Sequence, residues 1–165
     1  GVTMTWKRRT FDAATGAYLY VATPQTLAYT APDPLQDSVG DGIPDRWRRL
    51  MFGGGGASTN QLSCTTCDPD LDGADNLSEF LAGTNPTNDQ SRLSLRLDTD
   101  LSGAAATFPT SVNRRYTLQS NTNLVTGVWS ADPAQTALPG SGLPLSLPVS
   151  TGPTSRFLRV GADLP

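Results

Sequence analysis

The stretch DPDLDGADNLSEF, residues 68–80, organises the middle of this chain. Oxygen-bearing side chains recur at alternate positions, Gly73 follows them, and the apolar spacing of a short helix comes next. A second version, DSVGDGIPDRWRR, occupies residues 37–49. We call residues 37–48 the first loop and residues 68–79 the second loop. Each predicts an acidic turn that opens into a helix.

The second loop has the spacing of an EF-hand calcium loop, which takes ligands from positions 1, 3, 5, 7, 9 and 12 and turns on a glycine at position 6. With Asp68 at position 1, Gly73 falls at position 6 and Glu79, the only glutamate of the chain, falls at position 12. Hard oxygen ligands suit Ca²⁺ better than a soft metal. The sequence therefore predicts a calcium ion whose ligands are Asp68, Asp70, Asp72, the backbone carbonyl of Ala74, Asn76 and Glu79.

The first loop is an incomplete version of the same pattern. The ligands that the shared register predicts are Asp37, Asp41, Ile43 through its carbonyl, and Asp45. Val39 stands at position 3 and Arg48 at position 12, so one carboxylate is lost and a positive charge is brought towards the ion. This loop holds an ion only if water or a carboxylate from elsewhere completes the shell, and the sequence leaves a second calcium ion open.

The chain has two cysteines, Cys64 and Cys67, in the sequence CTTC directly before the second loop. Such a pair can be a redox centre, half of a zinc site or a small disulfide. The chain lacks the histidine or second cysteine pair that would complete a zinc site. A calcium-type loop follows the pair, where a redox fold would have a helix. We predict a structural disulfide, which also indicates an oxidising compartment.

The whole sequence predicts a mainly β protein in three segments. Residues 1–35 predict an N-terminal β-strand segment: a β-hairpin, with DAATG supplying the turn, followed by a third extended piece. Residues 36–90 hold the calcium loops and two short helices, DRWRRLMF and NLSEFLAG. Residues 91–165 alternate in short runs separated by turn residues, which predicts a C-terminal antiparallel β-sandwich.

Four aromatic residues are expected to contribute to the core. Trp47 and Phe80 lie on the apolar faces of the two short helices. Tyr116 and Trp129 belong to the predicted sandwich, where stacking on carbohydrate is the alternative role.

Composition argues against several classes of function. A net charge of −3 is too small to indicate a nucleic-acid partner, and no run approaches the roughly 18 apolar residues that a membrane span needs. Without histidine there is no Ser-His-Asp arrangement and no usual general base. Nothing in the sequence places Asp98, Asp100 or Asp132 as a catalytic pair across a pocket. We predict that the chain is not an enzyme.

The run DSVGDGIPDRW followed by DPDLDGADNLSEFLAGTNPTN resembles the thrombospondin type 3 calcium-binding repeats of secreted bacterial proteins. The C-terminal run RRYTLQSNTNLVTGVW is similar to the β-domain that often ends such proteins. The resemblance implies an extracellular or cell-surface module that calcium stabilises, and it implies no enzymatic activity.

Two functions follow as expectations. The first is a non-enzymatic structural or interaction module, including a subunit of a surface assembly or filament whose N-terminal strands pair with another copy or another cell-surface protein. The alternative is a carbohydrate-binding or dockerin-like protein-binding module of a larger secreted protein.

Overall fold

The computed structural model describes residues 2–27, 33–100, 103–150 and 155–165. The chain divides into two compact units, Gly1–Pro34 and Leu35–Pro165. The segment with the two loops and the C-terminal β structure therefore lie in one unit.

The first unit contains an antiparallel β-hairpin of strands β1 (Val2–Asp12) and β2 (Ala17–Leu27), each 11 residues long. Asp12 pairs with Ala17 at the end of the ladder. In the turn, the Asp12 carboxylate accepts hydrogen bonds from the Ala14 N–H (3.0 Å) and the Thr15 hydroxyl (2.8 Å). The turn closes on Gly16 with a φ of 67°, a left-handed conformation that glycine adopts without steric cost. The predicted hairpin is confirmed.

Two short helices lie in the second unit, α1 (Asp45–Phe52) and α2 (Asn76–Ala82). Their apolar faces form a small core in which Ile43, Trp47 and Phe80 are buried. The Trp47 and Phe80 rings meet edge to face with centroids 5.8 Å apart, a favoured aromatic geometry. Helices this short are marginal alone, so this shared core is what keeps them folded.

The C-terminal part of the second unit is built from two antiparallel sheets. One sheet has the order β3 (Arg96–Asp100), β4 (Gly103–Phe108) and β8 (Leu145–Val149). In the other, β5 (Arg115–Asn121) pairs with β6 (Ser130–Ala131), β7 (Leu138–Pro139) and β9 (Phe157–Asp163). A 3₁₀ turn at Pro133–Gln135 lies between β6 and β7. The mainly β class with two short helices is confirmed.

Both sheets contribute to one hydrophobic core. Its buried members are Ala106 and Phe108 of β4, Tyr116 and Leu118 of β5, and Leu147 of β8. Tyr116 therefore lies where the sequence predicts it.

Trp129 does not lie in this core and is only half-buried. The guanidinium of Arg159 lies over its ring at 4.4 Å from the centroid. The expectation that Trp129 fills the core is wrong: the ring packs against the Arg159 guanidinium instead of the buried cluster.

The β structure holds helix α2 by its C-terminal carbonyl groups. The Tyr116 hydroxyl donates to the Ala82 carbonyl at 2.9 Å, and the Ser111 hydroxyl donates to the Gly83 carbonyl at 2.8 Å. Arg114 donates from Nε and Nη2 to the Phe80 carbonyl at 3.1 and 2.6 Å. These bonds satisfy carbonyls that a helix end leaves without an intrahelical partner. The helix that begins in the second loop is therefore attached to the C-terminal β structure.

No helix in the part of the chain that the structure describes is long and apolar enough to cross a membrane.

Candidate metal centre

The backbone of the second loop is folded by its own aspartates. The Asp68 carboxylate accepts from the Gly73 N–H at 3.0 Å, and the Asp72 carboxylate accepts from the Ala74 N–H at 2.8 Å. Gly73 has a φ of 94°, which only glycine adopts readily. The Asp75 carboxylate caps α2 by accepting from the Ser78 N–H at 2.8 Å. These local bonds curl the loop and start the helix at position 9.

Three carboxylates of the second loop converge. One oxygen from each of Asp68, Asp70 and Asp72 lies within 4.8 Å of the others, close enough to share a metal ion. The Oδ1 of Asp68, the Oδ2 of Asp70 and the Oδ2 of Asp72 are buried and have no hydrogen-bond partner. Asp70 also accepts from the Asp72 N–H at 3.3 Å. Each carboxylate thus holds the loop with one oxygen and leaves the other without a partner.

Asn76, at position 9, is fully buried, and its amide is held by carbonyl groups from the chain before the loop. Its Nδ2 donates to the Leu62 carbonyl at 2.8 Å and to the Cys64 carbonyl at 2.6 Å. Both donor positions are thereby used, and the remaining oxygen, Oδ1, is buried without a partner.

The predicted disulfide between Cys64 and Cys67 is confirmed. Carbonyl groups of this short loop accept hydrogen bonds from the start of α2. The Cys67 carbonyl accepts from the Asn76 N–H at 2.9 Å and the Thr65 carbonyl from the Leu77 N–H at 3.1 Å. The turn closed by the Cys64–Cys67 disulfide therefore positions both helix α2 and the Asn76 amide.

Glu79, at position 12, is fully buried. Its Oε1 accepts from the Thr84 hydroxyl at 3.1 Å, and its Oε2 is buried without a partner. Burial raises the pKa of Glu79 to about 7; the Thr84 hydrogen bond acts against this, and the charges of the three loop aspartates add to it. Without a cation, an ionised Glu79 is therefore unfavourable in this site.

The second loop can hold a metal ion. In the described residues, every buried side-chain nitrogen or oxygen that lacks a partner belongs to this loop. The five atoms are oxygens of Asp68, Asp70, Asp72, Asn76 and Glu79, at positions 1, 3, 5, 9 and 12. Unsatisfied buried polar atoms are rare in folded proteins, and an ion at the site is one of the accepted explanations. A cation held by the converging Asp68, Asp70 and Asp72 carboxylates would satisfy three of the five.

The first loop has the same backbone frame. The Asp37 carboxylate accepts from the Gly42 N–H at 2.8 Å, and the Asp41 carboxylate accepts from the Ile43 N–H at 3.2 Å. Gly42 has a φ of 89°, and α1 starts at position 9 just as α2 does. The four predicted ligands of the first loop are thus brought into a comparable turn.

The carboxylates of the first loop are occupied by protein groups. Asp45 accepts from the Ser38 N–H at 2.9 Å with one oxygen and from the Ser38 hydroxyl at 2.6 Å with the other. Asp41 accepts from the Thr65 hydroxyl at 2.6 Å and forms an ion pair with Arg48 at 2.7 Å.

Some functional residues of this region were not identified from the sequence. Ser38 and Thr65 occupy the aspartates of the first loop, and Thr84 binds Glu79, yet none of them follows from the ligand spacing. The position of Arg48 could have predicted its role, because a cation at a ligand position is complementary to the surrounding carboxylates. The ligand spacing predicts that its charge opposes an ion, but not that the guanidinium binds Asp41.

Comparison of the chain with models of protein families found no match, and comparisons with curated proteins and with solved structures found none either. The candidate site therefore stands on its own geometry.

Proposed function

We propose that this chain is a non-enzymatic extracellular structural and interaction module whose second loop binds one calcium ion. The observation that carries the proposal is the set of five buried oxygen atoms without hydrogen-bond partners in residues 68–79. Buried carboxylates are costly unless they are paired or coordinate a metal. Calcium takes six to eight oxygen ligands in flexible geometry, which suits a loop of carboxylates and an amide.

Calcium would act on the attachment between the helical segment and the β structure. The ion would bind α2 through Asn76 and Glu79, while Tyr116 and Arg114 hold the other end of the same helix. At an ion concentration of one hundred times the dissociation constant, binding stabilises the folded state by about 2.7 kcal/mol. Calcium is thus proposed to stabilise the fold, with no step of chemistry assigned to it.

The extracellular placement is supported by the disulfide between Cys64 and Cys67, since such bonds persist in oxidising compartments. Extracellular calcium sites often have dissociation constants of about 10⁻⁴ to 10⁻³ M, and a site of that strength would be filled outside a cell. The resemblance of both loops to thrombospondin type 3 repeats points the same way.

The interaction role is assigned to the N-terminal hairpin. Within the described residues, β1 and β2 pair only with each other, and each spans 11 residues. A two-stranded hairpin is marginally stable alone, and its outer edges present backbone groups that another strand can bind. Pairing with a second copy or with another surface protein would supply the missing strand. Electron microscopy and sedimentation of the full chain test this, and a monomer at high concentration would exclude self-assembly.

Carbohydrate binding has less support from the structure. Tyr116 is buried in the core and offers no ring face to a sugar, and the ring of Trp129 carries the guanidinium of Arg159. The aromatic residues that suggested glycan stacking thus have structural contacts.

Catalysis also has little support. Asp98 is paired with Arg96 at 3.0 Å, and the side chains of Arg96 and Asp98 are 76% and 45% exposed. Such an exposed ion pair is not the arrangement that tunes a carboxylate for acid–base chemistry.

Thermal unfolding in calcium and in chelator tests the proposal. The chain should melt higher in calcium, and Glu79→Gln should remove most of that difference because the ion loses a charged ligand. Asp89→Asn is the matched control: it also removes one negative charge, but from an exposed residue outside the loops. Identical melting of the unaltered chain in both solutions would refute a stabilising calcium site.

A further inference from the structure

We propose that Arg48 takes the place of a metal ion in the first loop, so that this loop is filled by the chain's own cation and binds no calcium. The contacts within residues 37–48 carry this inference. The resulting total of one ion per chain also rests on the proposed function of the second loop.

The Arg48 guanidinium binds groups that an ion in this loop would bind. From position 12 it reaches both carboxylate oxygens of Asp41, at position 5, with Nη2 distances of 2.8 and 2.7 Å. Its Nη1 donates to the Ile43 carbonyl, at position 7, at 3.3 Å. These are two of the ligand positions of a calcium loop. The side chain thus places a positive charge among the groups that would otherwise coordinate the metal.

The remaining donors of Arg48 are also used. Nε donates to the Ser63 carbonyl at 3.1 Å, and Nη1 donates to the Gly56 carbonyl at 3.1 Å. With the bonds to Asp41 and Ile43 this makes five hydrogen bonds, which matches the five N–H donors of a guanidinium. The Arg48 side chain is 1% exposed. It is therefore held in place, and an ion would have to displace a buried, fully bonded side chain.

The other acidic residues of the first loop have partners as well. Asp37 accepts from the backbone N–H groups of Gly40 and Gly42, and Asp45 accepts from the backbone and hydroxyl of Ser38. Across the described residues, the unsatisfied buried oxygens all lie in the second loop. The first loop therefore shows none of the unmet bonding capacity that indicates an ion in the second.

This built-in cation would let the first loop support the second without calcium. Arg48 is bonded to Ser63 and Asp41 is bonded to Thr65, both in the segment whose Cys64 carbonyl holds the Asn76 amide. The segment is anchored from the first loop, so the Asn76 ligand keeps its orientation when the ion leaves. Chelation should then loosen the second loop and leave the first loop and α1 folded.

The experiment counts bound ions by calorimetric calcium titration of the full chain. The unaltered chain should bind one ion. The double variant Val39→Asp with Arg48→Glu supplies carboxylates at positions 3 and 12 and should bind two. Two ions in the unaltered chain, one of them lost in Asp37→Asn, would overturn the inference. So would a folded double variant that gains no ion.

A second measurement covers the case in which the double variant does not fold. Hydrogen exchange of the unaltered chain in calcium and in chelator should show protection changing in residues 68–84 and staying constant in residues 41–52. A calcium-dependent change in residues 41–52 as large as that in residues 68–84 would overturn the inference.

The titration distinguishes a failure of the proposed calcium site from a failure of the Arg48 assignment. If the unaltered chain binds no ion while the double variant gains one, the second loop is not a calcium site and the assignment of Arg48 stands.

Discussion

The first and second loops share one backbone frame, but their acidic residues contact different groups. In each, the aspartate at position 1 binds the glycine N–H of position 6, and a helix starts at position 9. At position 12 the first loop has Arg48, paired with Asp41, and the second has Glu79, close to three further acids. The acidic turn is therefore not what distinguishes them. The charge at position 12 distinguishes them, because the first loop has a buried cation of its own and the second has buried acidic oxygens without a partner.

Removal of the Arg48 guanidinium should lower the free energy of unfolding the most. Arg48→Met leaves Asp41 without its cationic partner, and breaking a buried ion pair costs about 3–5 kcal/mol. We expect the lower end, about 3 kcal/mol, because Asp41 is 20% exposed. The loss should be the same in calcium and in chelator. Urea unfolding measures it.

Arg49→Met is the control for this change, since Arg49 is exposed on the same helix. A loss confined to calcium-free solution would mean that the first loop responds to the ion, and the distinction between the loops would break down.

A methyl group at Gly56 should have the next largest effect. Its Cβ would lie 2.0 Å from the Asp45 carbonyl oxygen at the start of α1. The Gly56 carbonyl also accepts from Arg48, so any displacement weakens the filled first loop. We expect Gly56→Ala to lower the free energy of unfolding by about 2 kcal/mol or more.

Gly54→Ala separates the steric clash from backbone strain. Gly54 also has a positive φ, of 67°, but nothing lies within 4 Å of its Cβ position. If the two variants lost equal stability, the close approach of Gly56 to α1 would not matter.

The stability of the two loops should respond to pH with opposite signs. Burial raises the pKa of Glu79 to about 7, so in chelator its contribution to stability is present near pH 4.5 and is lost as pH rises through 7. Burial tends to raise the pKa of Asp41, but the Thr65 and Arg48 hydrogen bonds outweigh it and the net pKa is lowered. The first loop should therefore lose stability only in strong acid.

Unfolding in chelator at about pH 5.5 and about pH 8 tests this linkage. The chain should be more stable at the lower pH, and Glu79→Gln should remove that difference because the amide does not titrate. An unchanged pH dependence in the variant would assign the effect to another group.

The smallest expected change in the free energy of unfolding concerns position 4 of the second loop. Leu71 has a φ of 63°, and Gly40 occupies the same position of the first loop with a φ of 76°. A left-handed conformation costs a residue with a Cβ about 1 kcal/mol. Leu71 is 85% exposed, so Leu71→Gly removes little packing. It should stabilise the chain by about 0.5–1 kcal/mol in thermal or urea unfolding. A loss of stability would mean that the leucine side chain has a role that its exposure hides.

Much of the local structure was predictable from the sequence. Both helices and the Cys64–Cys67 disulfide lie where the sequence places them. The hairpin turn at Asp12 to Gly16 follows from turn chemistry in the same way. These features depend on residues only a few positions apart, so the spacing of side chains is enough to specify them.

Other features required the fold. The half-buried ring of Trp129 is covered by Arg159, which comes from strand β9. The attachment of α2 depends on Tyr116 and Arg114, which reach its carbonyl groups from another part of the chain. Alternation in a strand predicts which side chains face inward, but it does not specify which distant group each will meet.

The sequence alone determined the frame of the two loops, because the positions of aspartate, glycine and helix start fall within a few residues of one another. Only the tertiary structure decided which groups the side chains of each frame contact. The carbonyls of Gly56 and Ser63 must come together before Arg48 can be buried as a cation. The carbonyls of Leu62 and Cys64 must hold the Asn76 amide before its oxygen is left for an ion. Hydrogen bonds between residues distant in the chain make this difference, and ligand spacing does not encode them.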